Sequence, residues 1–303
     1  MTAMNPAMNA GSEDSEALKK QSSFKMMLKR LAANKLALTG GIIFIILVLI
    51  SIFAPLIAPY DYLAVNPANK YAPASAQHLL GTDQFGRDIF SRLIWGGRWS
   101  LTLGVLGTVV STFFGIVIGS IAGYFGGIVD TIIMRIIDIV QCIPGMLLTI
   151  MISVVLGQSF FATVAALSFG GIWGTARMLR GQILTVRTLD YVEAAKATNN
   201  KAGRIIFKYI LPNSIQQTII GACMGIGGQI TMASGLSFLG LGVQPPDAEW
   251  GAMINSGRDF IFQDMSMIML PSIAIFLIVL CVNVLGDSLR DALDLTTDQE
   301  DGI

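Results

Sequence analysis

The stretch WSLTLGVLGTVVSTFFGIVIGSIAGYFGGIV, residues 99–129, runs for 31 positions without a charged side chain. As a helix it would be about 46 Å long at 1.5 Å per residue, more than the roughly 30 Å of hydrocarbon in a bilayer. Small residues recur along it every four positions, at Gly107, Ser111, Gly115, Gly119, Gly123 and, at its end, Gly127. On a helix of 3.6 residues per turn they form one slowly drifting stripe, which lets a second backbone come close where lipid supplies no hydrophobic drive. That second backbone is either another helix of this chain or a moving neighbour such as a partner subunit, and spacing leaves both open. Gly221, Gly225 and Gly228 raise the same choice.

Four more uncharged stretches flank this one: Leu36 to Tyr60, Ile139 to Ala176, Tyr209 to Pro246 and Met265 to Gly286. Each exceeds the ~18 residues that mark a spanning candidate. The 303 residues are 53% apolar and only 13% charged, well below the soluble norm of about 25% charged. Gly157, Gln158 and Ser159 form a turn signal that splits the second of these stretches into two spans. The third has no compact break before its exit GLGVQPP. The expected fold is therefore an all-α integral membrane protein with six transmembrane helices, at about 36–58, 99–124, 133–156, 160–178, 213–237 and 267–288.

Lysine and arginine placement sets the orientation, because cytoplasmic loops carry the excess. With the N-terminus inside, fifteen of the twenty lie on the cytoplasmic side, leaving Lys70, Arg87, Arg92, Arg98 and Arg258 outside. A seventh helix would carry the C-terminal tail outside, so both termini are expected in the cytoplasm. The division follows: 1–35 is a polar tail, basic near the bilayer, and not a secretory signal. Residues 36–98 hold the first helix and an extracytoplasmic loop, 99–290 a five-helix core with a cytoplasmic loop at 180–212, and 291–303 a second tail.

Catalytic chemistry is missing from the pattern. There is no GxxxxGK[ST], so the chain has no P-loop of its own to cradle nucleotide phosphates. His78 is the single histidine and has no ligand cluster around it, which reads as a surface residue rather than a metal ligand. Cys142, Cys223 and Cys281 lie in apolar stretches and read as small apolar residues. Within the spans the polar groups are glutamines, Asn283 and hydroxyls, whereas ion-coupled carriers commonly need carboxylates or histidines there. Arg135, Asp138 and Asp287 fall near helix ends, as interfacial or salt-bridging residues would. An energy source outside the chain is expected.

The one concentrated patch of charge is YVEAAKATNNKAGRIIFKYILPN, residues 191–213. Asp190 and Glu193 have capping-box spacing, which predicts a short helix from Tyr191. Ala194, Ala195 and Ala197 leave it with little bulk, and Asn199 and Asn200 break it, since asparagine tolerates the left-handed conformation. A second amphipathic helix is expected over 202–211, ended by Pro212. Helix, turn, helix is a docking shape for another protein; a helix pair lying on lipid headgroups through its basic face is the other reading.

The same residues resemble the permease subunits of ATP-binding-cassette importers, in the dipeptide/oligopeptide branch. That family carries E-A-A, three residues, G, nine residues, I, any residue, L-P. Glu193, Ala194, Ala195, Leu211 and Pro212 fit, with Asn199 at the glycine site and Tyr209 at the isoleucine site. LGTDQFGRDIFSRLIWGGRWSL (80–101), LSFLGLGVQPPDAEWG (236–251) and LGDSLRDALD (285–294) also look like that branch. The resemblance implies the type I importer permease fold in a bacterial inner membrane, as the second, C-type permease of a heterodimeric pair. It implies two cytoplasmic ATPase subunits that bind the ATP, an extracytoplasmic peptide-binding protein, and di- or oligopeptide cargo, with lipid around it and no nucleic acid. Nickel or another small solute remains a second cargo, and a secondary carrier a further class. Glu193, Ala194, Ala195, Lys196, Asn199, Asn200 and Arg204 would contact the ATPase. Gly81, Asp83, Gly86, Arg87, Asp88 and Arg92 match the family motif; they either touch substrate or brace the loop by Asp–Arg pairs, with Trp95 and Trp99 anchored at the interface.

Overall fold

The structure is a computed structural model; it describes residues 34–300, with side chains described as far as Ala292. Of the expected tails at 1–35 and 291–303, residues 1–33 and 301–303 lie outside the described residues, and 291–300 continue the last helix. Helix α1 (Lys35–Ile52) is capped by Asn34, whose side chain accepts from the amides of Leu36 and Ala37. It buries little beyond Ala37, Gly40 and Ser51, so it packs as a peripheral helix, with Gly40 set against Val284. Helix α2 (Ile89–Phe125) starts ten residues before the expected position, because Asp88 caps it by accepting from the Ser91 amide. It ends where Gly126 and Gly127 take positive φ, 64° and 53°, a conformation open to glycine without a Cβ penalty.

The third expected helix is broken. Helices α3 (Gly127–Gln141) and α4 (Gly145–Leu156) meet at an angle of 87°. Pro144 stands at the bend: it has no N–H to continue the ladder and disfavours helical φ/ψ in the residue before it. The expected break at 157–159 is present, with Gly157 at φ 84° and Ser159 capping α5 (Phe160–Val186). Helix α5 runs eight residues beyond its expected end.

Beyond α6 (Asp190–Ala197), α7 (Gln216–Phe238) is the single span expected there. The exit loop folds into α8 (Trp250–Arg258), which hydropathy did not signal, and α9 (Ser266–Glu300) follows with Pro271 inside it. By length and composition α1, α2, α7 and α9 can each cross a membrane, and the bent α3–α4 pair makes a fifth. Helix α5 falls outside that set.

The glycine stripe of α2 is a helix interface within the chain. A Cβ on Gly115 would lie 2.6 Å from Thr175 Cβ, on Gly119 2.6 Å from Ala176 O, and on Gly123 2.8 Å from Ile183 Cβ. Helices α2 and α5 thus pack parallel at backbone contact, the close approach that small residues permit. Helix α7 lies against α2 and α9, with Leu103, Leu167, Ala233 and Leu236 in one core cluster and Ile230, Trp250, Met253 and Ile278 in another. The bundle carries the 190–212 segment at one end and the folded 53–88 segment at the other.

Candidate functional site

Two places hold the expected functional residues. At the first, α5 ends at Val186 and the chain turns into α6. The helix begins at Asp190, one residue early, with Leu189 as N-cap and no side-chain cap bond, so the capping box does not form. Asp190 and Glu193 sit instead in the first turn, where the helix dipole favours negative charge by about 0.3–1 kcal/mol each. The C-terminal carbonyls are closed by polar side chains: Asn200 Nδ2 donates to Ala195 O at 3.0 Å, and Thr198 Oγ1 to the same oxygen at 3.0 Å. Asn199 takes φ 57°, as its place at the family's glycine suggested.

Helix 202–211 does not stop at Pro212. It runs as one α-turn (Ala202–Ile205), a π-turn (Ile206–Ile210) and a further turn (Leu211–Ser214). Pro212 has no N–H for the carbonyl four residues back, and the widened turn, in which Leu211 N–H reaches Ile206 O, accommodates that defect. Ile205 and Ile210 turn inward and join Leu179, Ile183, Val186 and Val192 in a buried cluster. The segment is therefore fastened to the end of α5 by its own core. Its apolar face is largely used within the chain, which leaves its basic face outward.

What faces outward is specific. Glu193, Ala194, Lys196, Lys201, Arg204 and Lys208 are exposed, together with Phe207 at 72%. Ala195, expected on the docking face, is only 5% exposed and packs inward with Val192; one turn of helix cannot present both adjacent alanines. Close by, Arg180 Nε donates to Asp130 Oδ1 at 2.9 Å, its NH2 pairs with Asp130 Oδ2, and Arg177 reaches Asp138 Oδ1 at 2.5 Å. Arg187 donates to Gly123 O at 2.9 Å. These contacts tie α3 and α2 to the same end of α5, so a push on α6 meets a braced lever and not a loose loop.

At the other end, the family-motif residues form one buried knot. Gly81 and Gly86 have φ of 79° and 72°, and a Cβ on Gly86 would collide with Asn66 O. Asp83 accepts from the amides of Phe85 and Arg87 at 2.9 and 3.0 Å and from Arg87 Nε at 2.7 Å, with Arg92 Nε 3.7 Å away. Arg92 also donates to Tyr62 O at 3.0 Å. Asp88 accepts from the amide and hydroxyl of Ser91 at 2.7 Å each and lies 2.9 Å from His78 Nδ1. His78 is thus buried and paired, contrary to its surface reading; a lone histidine has no periodic signal that would reveal this. Asp83 makes both of the knot's Asp–Arg contacts, with Arg87 and with Arg92.

Glu249, unremarked within the 236–251 motif, is fully buried and caps α8. Its Oε2 accepts from Ala252 N at 2.9 Å and its Oε1 from Ser100 Oγ at 3.0 Å, joining α8 to α2. Burial pushes its carboxyl above the usual glutamate range, and the backbone bonds hold it down in part. Trp250 Nε1 donates to Leu93 O at 2.9 Å, and Gly96 lies directly against Ala248 O.

Residues 115–298 match the family described as the binding-protein-dependent transport system inner membrane component, and the chain belongs to that family. It is a multi-pass inner-membrane permease subunit of an ATP-binding-cassette transporter. Residues 22–74 match the N-terminal transmembrane domain of oligopeptide transport permease C. The dipeptide transport system permease protein of Alkalihalophilus pseudofirmus is 42% identical over 90% of each chain. The oligopeptide transport system permease protein of Bacillus subtilis is 38% identical over 95% of this chain and 94% of its own. The glutathione transport system permease protein of Pectobacterium atrosepticum is 40% identical over 88% and 89%. A chain of a methionine ABC transporter solved in inward-facing conformations shares the fold, with TM-score 0.52 and 20% identity over 66% of this chain and 96% of that one.

Proposed function

We propose that this chain forms half of the path by which di- or oligopeptides enter the cell, as the C-type permease paired with a homologous second permease. It crosses the membrane six times with both termini in the cytoplasm, α5 and the bent α3–α4 pair each counting as one crossing. An extracytoplasmic binding protein delivers peptide on the 53–88 side. Two ATPase subunits bind the ATP, and one of them takes α6 in a groove.

Helix α6 is the handle. Glu193, Ala194, Lys196 and Arg204 meet the ATPase, while Ala195, Asn199 and Asn200 hold the shape of the turn that presents them. Closure of the ATPase dimer displaces α6 as a rigid body, and the shared core with Leu179, Ile183 and Val186 passes that motion to α5, then through the glycine interface to α2. The observation that carries this reading is a small, charged, exposed helix welded by its buried face to the main helix pair.

The test is uptake by vesicles holding the chain with its partner permease, ATPases and binding protein. Radiolabelled di- and tripeptides should accumulate only with ATP on the ATPase side. Uptake of nickel but no peptide would overturn the cargo, and accumulation by the chain alone under a proton gradient would overturn the class.

A further inference from the structure

Between α1 and α2, backed by Ile226 of α7, lies an open groove of about 450 Å³, within the ~300–1,000 Å³ range of ligand pockets. Phe44, Val48, Ile52, Leu101 and Val105 make its walls. From Phe44 to Ile52 and from Arg98 to Leu106 is eight residues, about 12 Å along each helix, close to the ~15 Å of hydrocarbon in one leaflet.

Charge in the groove is confined to one group. The hydroxyls of Ser51 and Thr102 are turned to the carbonyls of Leu47 and Arg98 in their own helices. Arg98 stands at the mouth with its guanidinium 4.9 Å over the Trp95 ring, exposed, and with no carboxylate within ion-pair distance among the described residues. A second cavity of about 270 Å³, lined by Trp95, Trp99 and Phe160, opens on its other side. Beyond the groove α2 continues toward its C-terminal end with an exposed apolar face through Val109, Phe113 (62% exposed) and Val117.

We propose that this groove binds a membrane phospholipid, its phosphate on Arg98 and the upper part of one acyl chain between α1 and α2. A guanidinium without a carboxylate partner, stacked on an indole at the head of an apolar channel, complements an amphiphile with one anionic end. A peptide would bring an N–H and a C=O at every residue, far more than Arg98 and the acceptor side of two hydroxyls can bond. The inference rests on the chain's place in the membrane and not on its cargo or its coupling to ATPase subunits.

The assembled transporter, purified in mild detergent, is tested by native mass spectrometry and lipid extraction. The probes are phosphatidylglycerol and a diacyl glycolipid with the same chains and no phosphate. Wild type should retain phosphatidylglycerol in preference to the glycolipid. Arg98→Gln should lower that retention about tenfold, the scale of one lost charge-assisted hydrogen bond, while Arg98→Lys keeps much of it. Val48→Trp, which fills the channel and leaves the charge, should lower it too, and is read by itself if Arg98→Gln fails to assemble. Equal retention by wild type and Val48→Trp would overturn the proposal. So would a cross-link in membranes from Val48→Cys to the second permease, which would make the groove a subunit contact.

Discussion

Asp83→Ala separates bracing from substrate contact at the family-motif loop. The side chains of Asp83, Arg87 and Arg92 are 6%, 7% and 3% exposed, so neither guanidinium gains water when the carboxylate goes. Removing one partner of a buried ion pair costs about 3–5 kcal/mol, roughly two to three and a half powers of ten in the equilibrium for ordering that loop. Two amides, of Phe85 and Arg87, also lose their acceptor. The thermal midpoint of the purified transporter should fall, residues 58–88 should become open to protease, and peptide uptake should drop through a lower maximal rate. Asp83→Asn, which keeps an oxygen for the two amides, should lose less, and adding Arg87→Met to Asp83→Ala should restore part of the midpoint because one uncompensated charge leaves. An unchanged midpoint with a raised KM for peptide would refute the reasoning and make the loop a cargo contact.

Gly96→Ala sets a Cβ onto Ala248 O and the Trp250 ring, so expression of folded chain should fall sharply, read by size-exclusion profile. Asn199→Val, at φ 57°, should cost about 1–2 kcal/mol and weaken ATPase co-purification, whereas Asn199→Gly should retain it. Glu249 has its carboxyl raised by burial, so the folded state holds the proton more tightly than the unfolded one. Stability is fullest below the ordinary glutamate range and declines as pH rises through the raised value; Glu249→Gln, whose amide oxygen can still cap Ala252, should flatten the midpoint-versus-pH curve.

Sequence and structure agree where a period or a backbone requirement is involved. The small-residue stripe of α2, the turn at Gly157 and the left-handed Asn199 each follow from local chemistry, and each stands in the structure. The bend at Pro144 escaped because apolar residues continue on both sides of it, so hydropathy reads straight through. The burial of Val192, His78 and Glu249 depends on which neighbours arrive from elsewhere in the chain: Val186 and Ile205 near one, Asp88 on another, Ser100 on the third. Composition places α6 at the surface; only the packing of 202–214 shows which of its faces is spent inward.

Ala194 is exposed beside the buried Ala195, and a cysteine there reports what meets α6 without disturbing what holds it. With exposed Cys142 replaced by serine, Ala194→Cys in the assembled transporter should form a short-span cross-link to an ATPase subunit, with a yield that changes on adding ATP. A cysteine that cross-links to no ATPase subunit in a transporter still active in ATP-driven uptake would contradict the docking role of α6.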